Sequence, residues 1–471
     1  MFGFVYLLLC LTQIQANMFA GCGNKWPSTL NFVQNIENIK WVDYYISTAT
    51  VPSCNYFSGQ FNFEDGLYRF IIVYNGPVSI RMNNMEIFHS HGTHKERQTQ
   101  FKHRLKGSTS ISITGDILLF DWKPFTLKIY LYSLPSKFNT DLENDPECWD
   151  SMFSAEPHLF HSLQEDTGTI TTNPLEADYF YVPVHSTCKK LVEWIGPDIR
   201  FGVEILKNAA IYIKEHFPFW SRHYGKDHIF THLHDFGPCF AWNERENERK
   251  RQDFGIENAI GIVYSGDYST KCYRHTLDIV VPPYVKDERK AVQTKKDWLA
   301  FFQGTVVFKS DWFGIIDVYS RGVRKTLFDL YKNSTTIHIY DKKAPTHKEY
   351  VHGFQRSTFA LCPLGMASWS PRTIESLIYG SIPVIISDHI VLPFHQELDW
   401  THFSIQVLEK DATTPHKLEE ILNNISPERI AQLLHQGKGV ISKLLYDNPP
   451  WEKHSTYKTL ISTLTSRTLQ P

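Results

Sequence analysis

The stretch from Leu361 to Phe394, LCPLGMASWSPRTIESLIYGSIPVIISDHIVLPF, constrains this chain most. It reads as strand, loop, helix, strand, loop. Ser370-Pro371 opens the helix with a side chain able to cap, followed by proline at the first helical position. Gly380 closes the helix, and Ile382–Ile386 is an apolar strand whose first turn holds Pro383. A helix start of this kind presents free backbone N–H groups and a positive dipole end, which suits a phosphate. Arg372 and Glu375 sit three apart and share one helix face. The cation can reach a diphosphate, and the carboxylate can accept hydrogen bonds from ribose hydroxyls. A nucleotide-sugar site is one reading. An ordinary capped crossover unit is the other, since a fold does not fix a function.

The chain has 471 residues, enough for two to three domains. Its 32 Phe and 23 Tyr, with 42% hydrophobic residues, support large packed cores. Charge is balanced at −2, so neither composition nor a basic block points to nucleic acid or a membrane surface. The N-terminus is apolar from Phe2 to Leu11, with Ala16 and Ala20 as small residues at cleavage points. Residues 1–20 therefore read as a secretory signal peptide, or as an uncleaved anchor shorter than an ordinary membrane span.

Residues 22–125 differ from the rest. Gly66–Tyr74 is a strand before the turn Asn75-Gly76-Pro77, and Asn83-Asn84 joins Val78–Met82 to Met85–Phe88 as a hairpin. Short strands with regular turns predict a β-sandwich-like module. From Leu127 onward strands and helices alternate: Thr126–Leu134, Ser154–Leu163, Glu176–Val184, Phe201–His216 and Asp227–Leu233. A second set starts near Trp298, and Leu418–Tyr446 reads as helical, packing back across the domain junction. Such alternation predicts parallel sheets with crossover helices.

The stretch around Arg372 resembles the donor-binding signature of the exostosin family of glycosyltransferases, family 47, and within it the plant xylan-synthase branch. Asp227–Phe240 (DHIFTHLHDFGPCF), Asp278–Tyr284 (DIVVPPY), Phe301–Gly304 (FFQG) and Tyr319–Arg324 (YSRGVR) occur in that family's order. Tyr130–Asn139 and Glu176–Val184 also fit, so the resemblance runs from Leu127 to Leu445. It implies an α/β fold of GT-B architecture, two Rossmann-like halves with a cleft between them. The N-terminal half, 126–290, would serve the acceptor. The C-terminal half, 291–471, would serve the nucleotide sugar. The segment GLYRF and its hairpin weakly resemble a PA14-type sandwich, a module that binds glycan or only packs. Locality pairs Cys22 with Cys54; locality and the resemblance pair Cys148 with Cys188 and Cys239 with Cys272. Cys362 is then left free in a buried strand. Asn333 and Asn424 begin glycosylation sequons.

Glycosyl transfer needs a clamp for the leaving diphosphate, groups that orient the sugar, and a base for the acceptor proton. A guanidinium is a natural diphosphate clamp. The resemblance assigns that part to Arg324, while Arg321 reads as a solvated helix face. Gly304 ends an apolar strand and allows close backbone approach. Ser370 and Arg372 are the phosphate-side residues and Glu375 the ribose residue. Trp369 is a stacking or core aromatic, and Asp388 touches the sugar or caps a turn. Asp235 is the first candidate base and His234 the second, at the end of a strand carrying His228 and His232. Those histidines, and His89, His91 and His94 upstream, are also chemically able to hold a metal ion. No Asp-x-Asp pair occurs anywhere in the chain. Its absence favours cationic side chains in place of a metal.

The reading is an inverting, metal-independent UDP-sugar transferase of the Golgi lumen that extends a polysaccharide. It needs no cofactor, taking the UDP-sugar as substrate. β-1,4-xylosyl transfer from UDP-xylose comes first, with glucuronic acid, galactose and arabinose as other donors in this family. Met366-Ala-Ser-Trp and His389 depart from the plant pattern beside the donor pocket. Another reading is a non-catalytic subunit that binds glycan or supports a partner transferase. A partner subunit or a homodimer both fit, and nucleic acid does not.

Overall fold

A computed structural model describes residues 18–19, 56–91, 96–138, 145–188, 200–238, 241–243, 248–250, 255–269, 272–286, 295–307, 319–341, 344, 346–446 and 455–468. The expected leader, the Cys22–Cys54 pair, His94 and Cys239 lie outside the described residues. The chain divides into two compact units, Met1–Thr126 and Leu127–Pro471. Among the described residues no helix is long and apolar enough to cross a membrane.

The first unit is an antiparallel sheet of β1 (Met18–Phe19), β2 (Tyr56–Met82), β3 (Met85–Ser90) and β4 (Glu96–Pro124). β2 and β4 change partners along their length. Residues 68–75 of β2 pair on one edge with 96–103 and on the other with 116–124. Residues 56–63 and 78–82 both pair with the segment around 107–115. Gly76, Gly107 and Gly115 take positive φ where the pairing shifts, a backbone state costly to other residues. The hairpin forms at Asn83-Asn84, both left-handed, as its type requires. Alternate residues Tyr68, Phe70, Ile72 and Tyr74 fill the core with Ile80, Met82, Ile111 and Ile113. Arg69 is fully buried, donating to the Thr126 carbonyl oxygen and lying over the Phe125 ring.

The second unit is mixed α/β with two parallel, Rossmann-like sheets, the GT-B-like arrangement. β5 (Ile129–Leu131), β6 (Ile170–Thr171), β7 (Tyr179–Tyr181), β8 (His228–His232), β11 (Ile260–Val263) and β12 (Ile279–Val280) make one. Its order is β12-β11-β8-β7-β5-β6. β9 (Ala241–Asn243) and β10 (Glu248–Lys250) form a separate ribbon. β13 (Trp298–Gly304), β14 (Ile337–Asp341), β15 (Ser357–Pro363), β16 (Ile382–Ile386) and β17 (Ile405–Gln406) make the other, in order β14-β13-β15-β16-β17. Every neighbouring pair within both sheets is parallel. Strands buried on both faces explain the unbroken apolar run IPVII. The helix Val323–Tyr331 packs on the second sheet through Val323, Leu327 and Tyr331, four residues apart.

In the second sheet β13 has β14 on one side and β15 on the other, so successive crossovers diverge there. Open sheets bind ligands at the carboxyl ends flanking such a switch point. Gly304 ends β13 and Pro363 ends β15, and the helix Arg372–Ile378 follows directly.

Some elements are shorter than their sequence pattern. The strand read at Glu176–Val184 is only Tyr179–Tyr181, because the Val184 and Ser186 amides turn back onto Val182 and Val184 carbonyls. Leu418–Tyr446 breaks into the helices Lys417–Asn423 and Pro427–Val440 and a 3-10 turn, and Tyr446 donates to the Pro282 carbonyl oxygen. A later helix, Thr456–Thr468, lies against the first sheet. Arg467 donates to the Leu277 and Asp278 carbonyls, and Lys458 pairs with Asp166 at 2.7 Å.

The two sheets also meet through a short antiparallel ladder. The Val391 amide donates to Gly266 at 2.8 Å, the Tyr268 amide donates to His389 at 3.0 Å, and Asp267 opposes Ile390. A Cβ on Gly266 would lie 2.6 Å from the Val391 carbonyl oxygen and 2.8 Å from Val280 Cγ2. Gly266→Ala is expected to lower unfolding stability by about 1–3 kcal/mol, as overpacking does. Gly439→Ala has nothing within 4 Å of the added carbon. In its helix it should instead gain roughly 0.5–1 kcal/mol. Urea unfolding of both variants checks the contrast.

Candidate functional site

The candidate site lies at the carboxyl ends of β13, β15 and β16. The helix there begins at Arg372 with Pro371 at its cap. Ser370 Oγ accepts from the Arg372 amide at 3.3 Å, and Thr373 Oγ1 donates to the Ser370 carbonyl at 2.9 Å. Gly380 takes φ +81 just past the helix, as the sequence requires.

Arg372 is half-buried. Its Nη2 and Nε donate to the Gln303 carbonyl oxygen at 2.8 and 3.2 Å, and Nη1 approaches Ser370 Oγ at 3.3 Å. The guanidinium occupies the space above Gly304, where a Cβ would fall 2.2 Å from Nη2. Glycine at 304 is thus needed so that an arginine can lie across the end of β13. Glu375, one turn along, accepts from Tyr350 Oη at 2.7 Å. Burial raises its carboxyl above the ordinary value, against the pull of Arg372 and the Tyr350 hydroxyl.

Arg324 is buried and fully engaged with the protein itself. It donates to the carbonyls of Leu364 at 2.8 Å, Pro363 at 3.1 Å and Thr305 at 3.1 Å, and to Tyr319 Oη at 2.8 Å. Burial, helped by the nearby Arg372 charge, pushes its guanidinium down to about 10, still charged at neutral pH. Arg324 therefore shapes the loops at the switch point, while the half-buried Arg372 lies across Gly304 at the end of β13. Arg321 is exposed, as its sequence context suggests, but it sits on a kink instead of a regular helix face. Ser320, Arg321 and Gly322 all take left-handed backbone, and Arg321 pairs with Asp267 at 2.8 Å and Glu409 at 3.0 Å.

Asp388 caps the short helix Glu409–Ala412: its carboxylate accepts the Glu409 amide at 2.7 Å, and Glu409 accepts the Asp388 amide at 3.1 Å. Trp369 is buried in an aromatic group with Phe153 and Tyr264. Its indole N–H donates to the Asp235 carbonyl at 3.1 Å. That bond brings the end of β8 against the loop before Arg372. Asp235 is half-buried at this junction, whereas His234 is buried and stacked on Phe153 at 5.7 Å. A small cavity beside it is lined by Tyr264, Trp369, Ser370, Thr373 and Ile390.

His228 has another role. Arg222 and His228 both bond Asp227, each at 2.8 Å, and His228 Nε2 meets Tyr132 Oη at 2.9 Å. This network lies at the amino end of β8, about 13 Å from His232 at the rise of a strand. One ion cannot bind both. Among the described residues no group of three or more His, Cys, Asp or Glu is placed to hold a metal ion.

With this geometry in view, the Exostosin GT47 domain family matches residues 124–423. The "Probable glucuronosyltransferase 47 A" of Physcomitrium patens is 34% identical over 333 residues, 69% of this chain and 72% of that protein. A "Probable glucuronoxylan glucuronosyltransferase" of Arabidopsis thaliana is 31% identical over 87% of this chain and 83% of its own length. A "Probable beta-1,4-xylosyltransferase" of the same plant is 34% identical over 71% and 78%.

Cys148 and Cys188 form the expected disulfide, Cys272 is disulfide-bonded, and Cys362 is free and buried. Sequence reasoning missed Glu156, buried in the first turn of the helix Ala155–Glu165. It accepts from the Thr187 and Cys188 amides at 3.0 and 3.3 Å and from the hydroxyls of Ser186, Thr187 and Thr231. It fixes the loop after β7 beside the Cys148–Cys188 bridge. Burial raises its carboxyl to about 7 although these donors pull it down. Below the ordinary value of 4.5 both folded and unfolded states carry the proton. As pH rises toward 7 the unfolded carboxyl ionises first, so stability falls, by about 3 kcal/mol at the upper limit. Glu156→Gln keeps an oxygen for the two amides, and the three hydroxyls can turn to accept its NH2. The variant is expected to fold and to lose this component of the slope between pH 4.5 and 7, read from urea unfolding across pH.

Proposed function

The chain belongs to the exostosin GT47 family of glycosyltransferases, and from that membership we propose an inverting, metal-independent transfer from a UDP-sugar to a polysaccharide acceptor. The observation that carries this reading is the convergence at one switch point. Arg372, Ser370 and Gly304 meet at the end of the second sheet, and the bond from Trp369 to the Asp235 main-chain carbonyl ties the loop after β8 to the loop before Arg372. The second sheet, within 291–471, takes the nucleotide sugar. The first, within 126–290, takes the acceptor. The segment 22–125 is an accessory module that packs or binds glycan.

In this scheme the diphosphate lies against the Arg372 guanidinium and Ser370, and Arg324 holds the loops that form its bed. Glu375 accepts from the ribose hydroxyls with the oxygen not used by Tyr350. Asp388, occupied as a cap, orients the loop that meets the sugar. The acceptor hydroxyl attacks the anomeric carbon as the UDP oxygen leaves, in one displacement. Asp235 takes the acceptor proton, with His234 the second candidate. Positive charge stabilises the leaving diphosphate as its own charge grows, the office a metal ion fills elsewhere. UDP-xylose is the first donor to test, and UDP-glucuronic acid is its direct rival given the relatives' names. The Cys148–Cys188 bridge supports an oxidising compartment and hence a Golgi-lumenal enzyme.

The test is a donor panel: UDP-sugars with mixed oligosaccharide acceptors and EDTA, following UDP release and product mass. Growth of acceptors by pentoses from UDP-xylose is the expected result. Growth from another donor replaces the sugar and keeps the class. UDP binding with no release from any donor, and none restored by a partner transferase, overturns the catalytic reading in favour of a non-catalytic subunit. Arg372→Ala should lower kcat/KM by roughly 100-fold or more, the loss seen when one preorganised charge donor is removed. Asp235→Asn should lower kcat by roughly 100- to 10,000-fold with UDP affinity retained. Steady-state kinetics and UDP titration separate the two effects.

A further inference from the structure

Tyr268 sits in the ladder joining the two sheets, and its side chain is 51% exposed. An exposed tyrosine ordinarily keeps its two side-chain torsions loose. This one is fastened at both ends. Its amide donates to the His389 carbonyl and its hydroxyl donates to the Asp388 carbonyl, each at 3.0 Å. The His389 ring meets it edge-on, with centroids 5.3 Å apart. The result is an aromatic plate held rigid and open to solvent at the end of β16, one loop from the helix that carries Arg372.

Its electrostatic setting selects the ligand. The carboxylates on either side are already engaged: Asp267 with Arg321 and Ser269, and Asp388 with the Glu409 amide. No carboxylate in this pair is left to hold a cation, and the Arg321 charge is offset by two acids. A plate of this kind suits a neutral ring with an apolar face. The C–H face of a pyranose is such a surface, and an immobilised ring takes it without losing further side-chain freedom.

We propose that Tyr268, braced by His389, is an acceptor subsite that stacks a neutral sugar unit of the polysaccharide. The proposal rests on the glycosyltransferase reading above and names where its acceptor lies.

Tyr268→Ala and Tyr268→Phe in the full chain test it, with KM measured against acceptors of increasing length. Removing the ring should raise KM for long acceptors about tenfold, with a smaller rise for the shortest. Donor KM should stay within about twofold. Tyr268→Phe keeps the plate and should stay within about threefold of the parent. An unchanged acceptor KM in Tyr268→Ala overturns the proposal. So does an equal rise in donor KM with a fall in Tm, which marks a structural strap. A Tyr268→Phe variant as impaired as Tyr268→Ala would assign the effect to the hydroxyl and also overturn it. If no donor supports transfer, calorimetry with a xylo-oligosaccharide decides separately. A tenfold weaker affinity in Tyr268→Ala sustains the subsite; equal affinity, or no binding by the parent chain, overturns it.

Discussion

The site depends on one buried guanidinium. β13 and β15 part company at the switch point, and each leaves carbonyl groups pointing into the gap between the loops that follow. Arg324 fills that gap, taking Thr305 from one side and Pro363 and Leu364 from the other. Four of its five N–H groups are accounted for by these carbonyls and Tyr319. Burying a charge is expensive unless it is hydrogen-bonded this completely. The resulting rigidity is passed to Ser320, whose hydroxyl shares the Leu364 carbonyl and whose amide donates to Gly365. The left-handed backbone of Ser320 and Arg321 is strain that such a frame can hold. Arg372 then has a fixed floor, the end of β13, across which to lie.

The sheets are held together by contacts of a different kind. Trp369 to Asp235 is one hydrogen bond inside an aromatic cluster. Gly266 to Val391 is a backbone contact that any side chain would wedge apart. Arg321 reaches from the second sheet to Asp267 on the first and is answered by Glu409. The helix Thr456–Thr468 follows the second sheet in sequence and packs on the first, with Lys458 on Asp166 and Arg467 on the end of β12. These contacts combine charged pairs with apolar packing: Val391 joins the buried cluster of Val263, Tyr273 and Val280, and Trp369 packs on Phe153 and Tyr264.

What the sequence reveals of this arrangement follows from range. The helix after Ser370-Pro371 and its end at Gly380 are local events, written in the residues that cap, start and stop helices. The parallel sheets are legible for the same reason, as apolar runs alternating with amphipathic segments. The Asn83-Asn84 hairpin is another local signal. Glu156 is invisible because its partners lie 30 to 75 positions away, and a glutamate in a first helical turn looks like an ordinary surface residue. The surroundings of Arg324 and Arg372 divide only in three dimensions: both are arginines near glycines, yet one is buried among four acceptors and the other is half-buried across the end of β13. His228 and His232 alternate on one strand, but the strand's length separates a structural network at its amino end from the carboxyl edge where the candidate site lies.

The distribution of charge across the cleft matches the chemistry of transfer. The second sheet's edge carries two guanidiniums, and burial, then the Arg372 charge, holds the Arg324 guanidinium below its ordinary value. Such a pair is unfavourable in an empty site, and it is relieved by an anion. In the reaction proposed above, a diphosphate would be drawn in partly by the repulsion it cancels, and that attraction would grow as the bond to the sugar breaks. Among the described residues, the segments 233–238 and 264–268 that follow β8 and β11 hold no Lys or Arg. They offer Asp235, His234 and aromatic rings. A polysaccharide hydroxyl is neutral and must lose a proton as it attacks, so a carboxylate and apolar plates serve it better than charge would. The two parallel sheets share an architecture, and in the proposed reaction the residues at their carboxyl ends divide the work between them.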